Sequence, residues 1–218
     1  MQAVPGLFVT FEGMDGSGKS TQMKRLAERL RAEGFQVHET YEPGGTPIGN
    51  QIRRVLLDSA NEELRPTTEL LLYFACRAQN VEQSILPALR QGAIVLSDRF
   101  TDSTLAYQGV ARGLGKQVVL DLDRISCQGL IPDLTVLIDI DLETSLERAR
   151  ARNRQLSDSQ TRMDDQAVEF HRKVHEAYSA LAAEHPDRFV VVDGRADVDG
   201  VAVDVWKAVR PRIERLHV

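Results

Sequence analysis

The chain has little cysteine. Cys76 and Cys127 are the only two among 218 residues. They lie far apart, outside any metal-ligand spacing, and read as idle thiols, because a chain of this size needs no disulfide staple. No run of 18 apolar residues occurs, so no membrane-spanning helix is expected. The opening MQAVPG carries no basic stretch ahead of its short apolar segment. That argues against a secretory leader, and the expected location is cytoplasmic. An excess of positive charge is missing too. The net charge is −5 and the sequence pI about 5.6, which argues against a broad nucleic-acid-binding face but leaves room for a small anion site. Internal repeats and low-complexity linkers are also lacking.

What is present suits a globular chain with a real core. Hydrophobic residues make up 42% and charged residues 27%, enough for a sizeable core in one domain spanning 1–218. Short apolar runs alternate with helical patterns. Strands are expected at 7–11, 35–40, 93–96, 134–140 and 189–192. Helices are expected at 19–33, 48–57, from Pro66 until a break before Pro87, 144–152, 165–184 and 198–216, the last interrupted near Pro211. The polar stretch 153–161 reads as a loop. This alternation predicts an α/β fold, a parallel sheet covered on both faces.

The segment GMDGSGKS (13–20) fits G-x-x-x-x-G-K-[ST] between a strand and a helix. Its glycines allow unusual backbone angles and close approach to a ligand. Its amides converge on phosphate oxygens at the positive end of the following helix. Lys19 adds charge near the β- and γ-phosphates, and Ser20 offers a hydroxyl to Mg²⁺. Asp98 and Arg99 follow the third strand, where ligands bind in open parallel sheets. Asp98 is placed for the metal or its water shell, and Arg99 for a second phosphate.

EPGGT (42–46) is a turn after the second strand, a plain loop on its own evidence. Tyr73 and Arg77, four apart on one helix face, offer a ring and a fork of donors to a base; the same spacing serves core packing, the expected role of Phe74. Arg148, Arg150, Arg152, Arg154 and Arg162 form a basic cluster. Arg148 and Arg152 share a helix face and Arg150 points elsewhere, toward solvent. Such a cluster in an acidic chain reads as a lid, around 152–164, that closes cations over transferring phosphates.

Taken together, FEGMDGSGKST (11–21), EPGGT, LLYFACRAQ (71–79), SDRFTDSTLAYQG (97–109), PDLTVLIDID (132–141) and ERARARN followed by Arg162 resemble the thymidylate kinase family over nearly the whole chain. The P-loop alone is widespread; the EPGGT, DRF and AYQG segments in this order are specific. The resemblance implies transfer of the ATP γ-phosphoryl group to dTMP, giving ADP and dTDP for dTTP biosynthesis. It implies Mg²⁺, a homodimer and the P-loop nucleoside monophosphate kinase architecture, a five-stranded parallel sheet with helices on both faces. It assigns ATP to Gly13, Met14, Asp15, Gly16, Ser17, Gly18, Lys19, Ser20 and Thr21, with Arg148 against adenine.

For the acceptor, the resemblance implies that Asp15 contacts the 3′-hydroxyl, Tyr73 stacks on thymine and Arg77 reads the base. Arg99 holds the phosphate, Thr104 lies near the base edge, and Tyr107 crowds the ribose 2′ position. No variable P-loop position is basic, which matches the layout with catalytic arginines in the lid, here Arg152 and Arg162. Lys19 and Arg99 complete the catalytic set, and Ser20 and Asp98 the metal set. Two features depart from the family pattern. Tyr41 stands where an arginine often precedes EPGGT, so two outcomes are open: Arg99 or Arg53 compensates in holding the acceptor phosphate, or acceptor affinity is weaker. The lid, NRQLSDSQTR, is long. Rival readings are another nucleoside monophosphate or a nucleoside as acceptor, and a nucleotide-binding regulator without transfer activity, which only Tyr41 favours.

Overall fold

The computed structural model describes residues 5–156 and 161–214; at 152 and 154–156 it describes the backbone alone. Five strands form one parallel sheet in the order β2-β3-β1-β4-β5. They are β1 (Leu7–Glu12), β2 (Val37–Tyr41), β3 (Ile94–Asp98), β4 (Leu134–Asp139) and β5 (Phe189–Asp193). The central strand β1, LFVTFE, is buried along its whole length, as a strand covered on both faces must be. It pairs with β3 on one side and β4 on the other. The strand order therefore reverses at β1, and the crevice beyond its carboxyl end is where ligands bind in such sheets.

One face of the sheet packs Leu7, Val9, Phe11, Ile94, Leu96 and Val136 against α1 (Lys19–Ala32) and α9 (Val198–Glu214). The other face is covered by α3 (Pro66–Asn80), α8 (Val168–Glu184) and the π-helical segment Leu105–Ala111, whose Tyr107, Phe170, Val174 and Tyr178 are buried together. The segment α2 (Pro47–Leu57) lies beside α3. Thr46 caps it by accepting from the Gly49 N–H at 2.9 Å, with Pro47 at the first helical position.

Strand and helix positions follow the expectations with four differences, the first being that α9 runs as one helix through Pro211 to Glu214 without the expected interruption. Pro87 does not end the long helix. A π-helical turn at Val81–Ile85 carries the chain into α4 (Leu86–Arg90), where the Leu86 N–H bonds to the Val81 carbonyl. That wider turn re-registers the ladder just where proline removes a donor. The expected loop at 153–161 begins as helix instead, since α7 (Leu142–Leu156) runs on through residues of high helix propensity. Residues 157–160 of the expected lid lie outside the described residues. Two helical stretches had no expectation: α5 (Thr101–Thr104) running into Leu105–Ala111, and α6 (Lys116–Ser126).

Candidate active site

The loop between β1 and α1 is shaped by glycines. Gly13, Gly16 and Gly18 have φ of 137°, 79° and 93°, values that side chains resist. A Cβ on Gly13 would sit 2.4 Å from the Ile138 carbonyl oxygen, so only glycine lets the loop pass over β4. Gly18 precedes α1 and supplies no side-chain cap, and no acidic residue occupies the first turn. The leading amides of a 14-residue helix are left for an anion. Lys19 is buried, donates to the Met14 carbonyl at 3.1 Å and lies 3.9 Å from Asp15. Burial, and then Arg99, hold its pKa below the ordinary lysine range.

The Ser20 hydroxyl donates to Asp98, at the end of β3. A hydroxyl and a carboxylate in contact are hard oxygen donors of the kind Mg²⁺ takes beside substrate phosphates. No group of three or more His, Cys, Asp or Glu among the described residues could cage a metal.

Beyond the loop opens a cleft of about 450 Å³ whose walls include Lys19, Tyr73, Arg77, Asp98, Arg99 and Tyr107. Arg99 sits at its junction with the P-loop. Its backbone has φ of 72°, a conformation non-glycine residues seldom adopt outside functional sites. The Arg99 N–H donates to the Phe11 carbonyl and the Ser97 hydroxyl to the Arg99 carbonyl. Its guanidinium donates to Asp15 at 2.9 Å and to the Tyr107 hydroxyl at 3.2 Å, while Tyr107 donates to the other Asp15 oxygen at 3.1 Å. The structure thus brings Asp15, Arg99 and Tyr107 together in one triangle.

Arg77 is 1% exposed. It donates to Glu42 at 2.5 Å, Thr104 at 2.8 Å and Thr101 at 3.3 Å. Those bonds use three of the five N–H donors of a guanidinium. Asn80 donates to the other Glu42 oxygen at 3.2 Å. The EPGGT turn is therefore more than a loop: its glutamate is the buried counter-charge of Arg77. Burial pushes the Glu42 pKa up, against the pull of Arg77. Gly45 has φ of 77°, and a Cβ there would meet Thr40 Oγ1 at 2.4 Å, which explains the glycine. Phe74 is buried as core, whereas Tyr73 is half-buried on the cleft wall.

Tyr41 packs its ring on Gly44, where a Cβ would lie 2.2 Å from the ring, and donates to Asn50 at 2.9 Å. Arg53 lies 5.5 Å over that ring, donates to the Pro43 carbonyl at 2.7 Å and lines the cleft. A cation thus stands beside Tyr41.

The basic cluster separates. Arg148 is exposed on α7, with its Cβ 2.9 Å from where a Gly16 Cβ would sit, so it flanks the P-loop. The Arg152 side chain lies outside the described residues. Arg162, expected beside the transferring phosphoryl group, is placed elsewhere. It is buried, donates to the Leu56 carbonyl at 2.6 Å and lies 2.7 Å from Glu69. That contact is one of charge, without hydrogen-bond alignment. Arg112 donates to both Glu69 oxygens at 3.2 Å, and Gln108 donates at 2.8 Å. A carboxylate under two arginines explains why Arg162 turns inward.

Sequence reasoning passed over Glu42, Glu69 and Glu12. All three are buried carboxylates; the signal for Glu12 was an acid at the end of an otherwise apolar strand.

The family model "Thymidylate kinase" matches residues 11–205. The thymidylate kinase of Pelobacter propionicus is 52% identical over 198 residues, covering 90% of each chain. That of Geobacter sulfurreducens is 46% identical over 211 residues, covering 96% of this chain and 99% of the relative. The solved thymidylate kinase of Ehrlichia chaffeensis superposes with a TM-score of 0.77 at 32% identity, over 94% of this chain and 98% of its own. With that model covering most of the sequence and relatives near half identical along it, the chain belongs to the thymidylate kinase family.

Proposed function

We propose that the protein transfers the γ-phosphoryl group of ATP to dTMP, and that the triangle of Asp15, Arg99 and Tyr107 is where the two substrates meet. The observation that carries this is position. Asp15 belongs to the phosphate loop, yet its carboxylate is held by two groups of the acceptor cleft. On this reading Asp15 receives the 3′-hydroxyl and Arg99 pairs with the acceptor phosphate. Tyr107 closes the space a 2′-hydroxyl would need. Tyr73 offers its ring to thymine, and Arg77, fixed by Glu42, presents its remaining donors to the base beside Thr104.

An acceptor phosphate is already ionised at neutral pH, so the reaction requires no general base. The protein's work is alignment and charge neutralisation. The P-loop amides from Gly13 to Thr21 cradle the triphosphate, and Lys19 meets its β- and γ-phosphates. Arg148 flanks adenine, Arg99 faces the acceptor and Arg152 approaches from the lid. Ser20 and Asp98 would hold Mg²⁺, which when bound neutralises phosphate charge. Arg162, committed to Glu69, anchors the lid's return and is not itself assigned to the phosphates.

We also propose a cytoplasmic homodimer. No described helix is long and apolar enough to cross a membrane. Ile48 and Val55 on α2, Leu71 on α3, and Val118 and Ile125 on α6 are exposed on neighbouring helices, the kind of apolar surface a second copy covers. The functional test is ADP release from Mg·ATP against a panel of nucleosides and nucleoside monophosphates. Turnover greatest with dTMP is expected. Preference for another acceptor would overturn the substrate, and binding without turnover would favour the regulator.

A further inference from the structure

Beneath the P-loop, Arg99 has a second set of contacts that neither substrate explains. Its other terminal nitrogen donates to Ser103 Oγ and to the Tyr178 hydroxyl, each at 3.0 Å. Both hydroxyls then donate to one oxygen of Glu12, Ser103 at 2.5 Å and Tyr178 at 2.9 Å. The other Glu12 oxygen accepts from the Phe100 N–H at 2.8 Å. Glu12 is fully buried, Tyr178 is 2% exposed and Ser103 8% exposed.

We propose that Glu12 is a positioning residue for acceptor binding: its carboxylate turns the Ser103 and Tyr178 hydroxyls so that their lone pairs face Arg99 and lock the guanidinium toward the acceptor phosphate. The proposal rests on the reading of Arg99 as the acceptor's phosphate ligand.

A hydroxyl carries one proton and two lone pairs. An ionised carboxylate only accepts, and each hydroxyl is set to donate to it, although the two hydroxyls also lie 2.8 Å apart, where either can donate to the other. With both protons on Glu12, their lone pairs are left for Arg99. This matters because Arg99 stands on a left-handed backbone and its other nitrogen is drawn toward Asp15 and Tyr107. Contacts on both terminal nitrogens define one orientation of the planar fork. Three elements contribute: Glu12 from β1, Ser103 from α5 and Tyr178 from α8.

The variant Glu12→Gln keeps the shape and reverses the polarity. Its NH₂ must face either the Phe100 N–H, a donor, or the two hydroxyls. In the second case the hydroxyls accept from it; one can then donate to the other across 2.8 Å, and the remaining proton is turned toward Arg99. Truncating the hydroxyls, by Ser103→Ala with Tyr178→Phe, removes the hydrogen-bonded link between Glu12 and Arg99 and leaves only their attraction of charge.

The test measures kcat and KM for dTMP and ATP separately at pH 8, in the wild type, Glu12→Gln, the Ser103→Ala/Tyr178→Phe pair and the triple variant. Glu12→Gln is expected to lower kcat/KM for dTMP about tenfold or more, the scale of a lost charge-assisted bond, with KM for ATP changed less than about twofold. In the hydroxyl-free background the same substitution is expected to add less than about twofold. Equal losses in both backgrounds, or equal losses for both substrates, would overturn the proposal, since Glu12 would then merely support the loop. If Glu12→Gln does not fold, Tyr178→Phe decides. It is expected to weaken dTMP kinetics several-fold and spare ATP, and unchanged dTMP kinetics would refute the relay. Absence of wild-type turnover with dTMP would overturn the functional reading beneath it; turnover with an indifferent Glu12→Gln would overturn the relay alone.

Discussion

Replacing Glu69 by glutamine tests the buried charge balance under the cleft. Glu69 is 1% exposed and Arg162 7%. The carboxylate accepts two bonds from Arg112 and one from Gln108, and sits 2.7 Å from Arg162. An amide of the same size removes the negative charge and presents donors to donors. Breaking a buried ion pair by removing one partner costs about 3–5 kcal/mol. Here the lower end applies, because the glutamine oxygen still accepts from one side and Arg112 is partly exposed. A loss of about 3 kcal/mol lowers Tm by about 6–12 °C in a chain of this length. Arg162→Met is the informative contrast. It leaves Glu69 paired with Arg112 and offers apolar volume next to Leu56, so a smaller loss is expected. Thermal and urea unfolding of the two variants measure the difference. A Tm change below about 2 °C for Glu69→Gln, or a larger loss for Arg162→Met, would refute the reasoning.

Further outcomes follow from the site. Lys19→Ala is expected to reduce kcat by at least about a hundredfold, as for loss of a donor to developing charge; near-normal turnover in a steady-state assay would remove Lys19 from its role. Arg152→Ala should lower kcat and leave the melting temperature alone, whereas Arg162→Ala should lower the melting temperature first; kinetics and calorimetry on both variants separate the roles. Glu12 gives a pH signature. Burial, then Asp102, lift its pKa from the ordinary 4.5 to about 7, against the Ser103 hydrogen bond and the pull of Arg99. The folded state thus holds this proton more tightly than the unfolded state. The stability that difference contributes is present below pH 4.5 and lost as pH rises through about 7, on the order of 3 kcal/mol. The stability difference between wild type and Glu12→Gln, followed by urea unfolding from pH 5 to 8, is expected to shift toward the variant as pH rises. A difference that does not change with pH would contradict the assignment.

The parts of the fold visible in the sequence are those with an uninterrupted physical signature. The apolar run of β1 beside GMDGSGKS announces a buried strand, a phosphate loop and a helix start. The helical run Thr101–Ala111 was hidden because it mixes threonine, serine and glycine, is buried around Tyr107, and shifts to π-helical turns that erase the 3.6-residue period. Lys116–Ser126 spreads Val118, Leu120 and Ile125 onto exposed faces, blurring its amphipathic stripe. At the site, Asp15, Arg99 and Tyr107 were grouped through family likeness and not through spacing, and the structure sets the three side chains in mutual contact. Arg162 was drawn to the lid by its place after an arginine cluster. Its partner Glu69 lies on α3, distant in sequence, and only packing reveals that pairing. Buried carboxylates share this difficulty: Glu12, Glu42 and Glu69 look like surface acids until the elements around them are assembled.

The central claim is that one loop serves both substrates, with Asp15 and Arg99 joining the triphosphate to a deoxynucleotide acceptor. The most direct measurement is chromatographic quantification of products from Mg·ATP and dTMP. Formation of dTDP and ADP in equal amounts, lost together in Arg99→Ala and in Asp15→Ala, is the expected result. ADP released without dTDP, or dTDP formation undiminished in those variants, would contradict it.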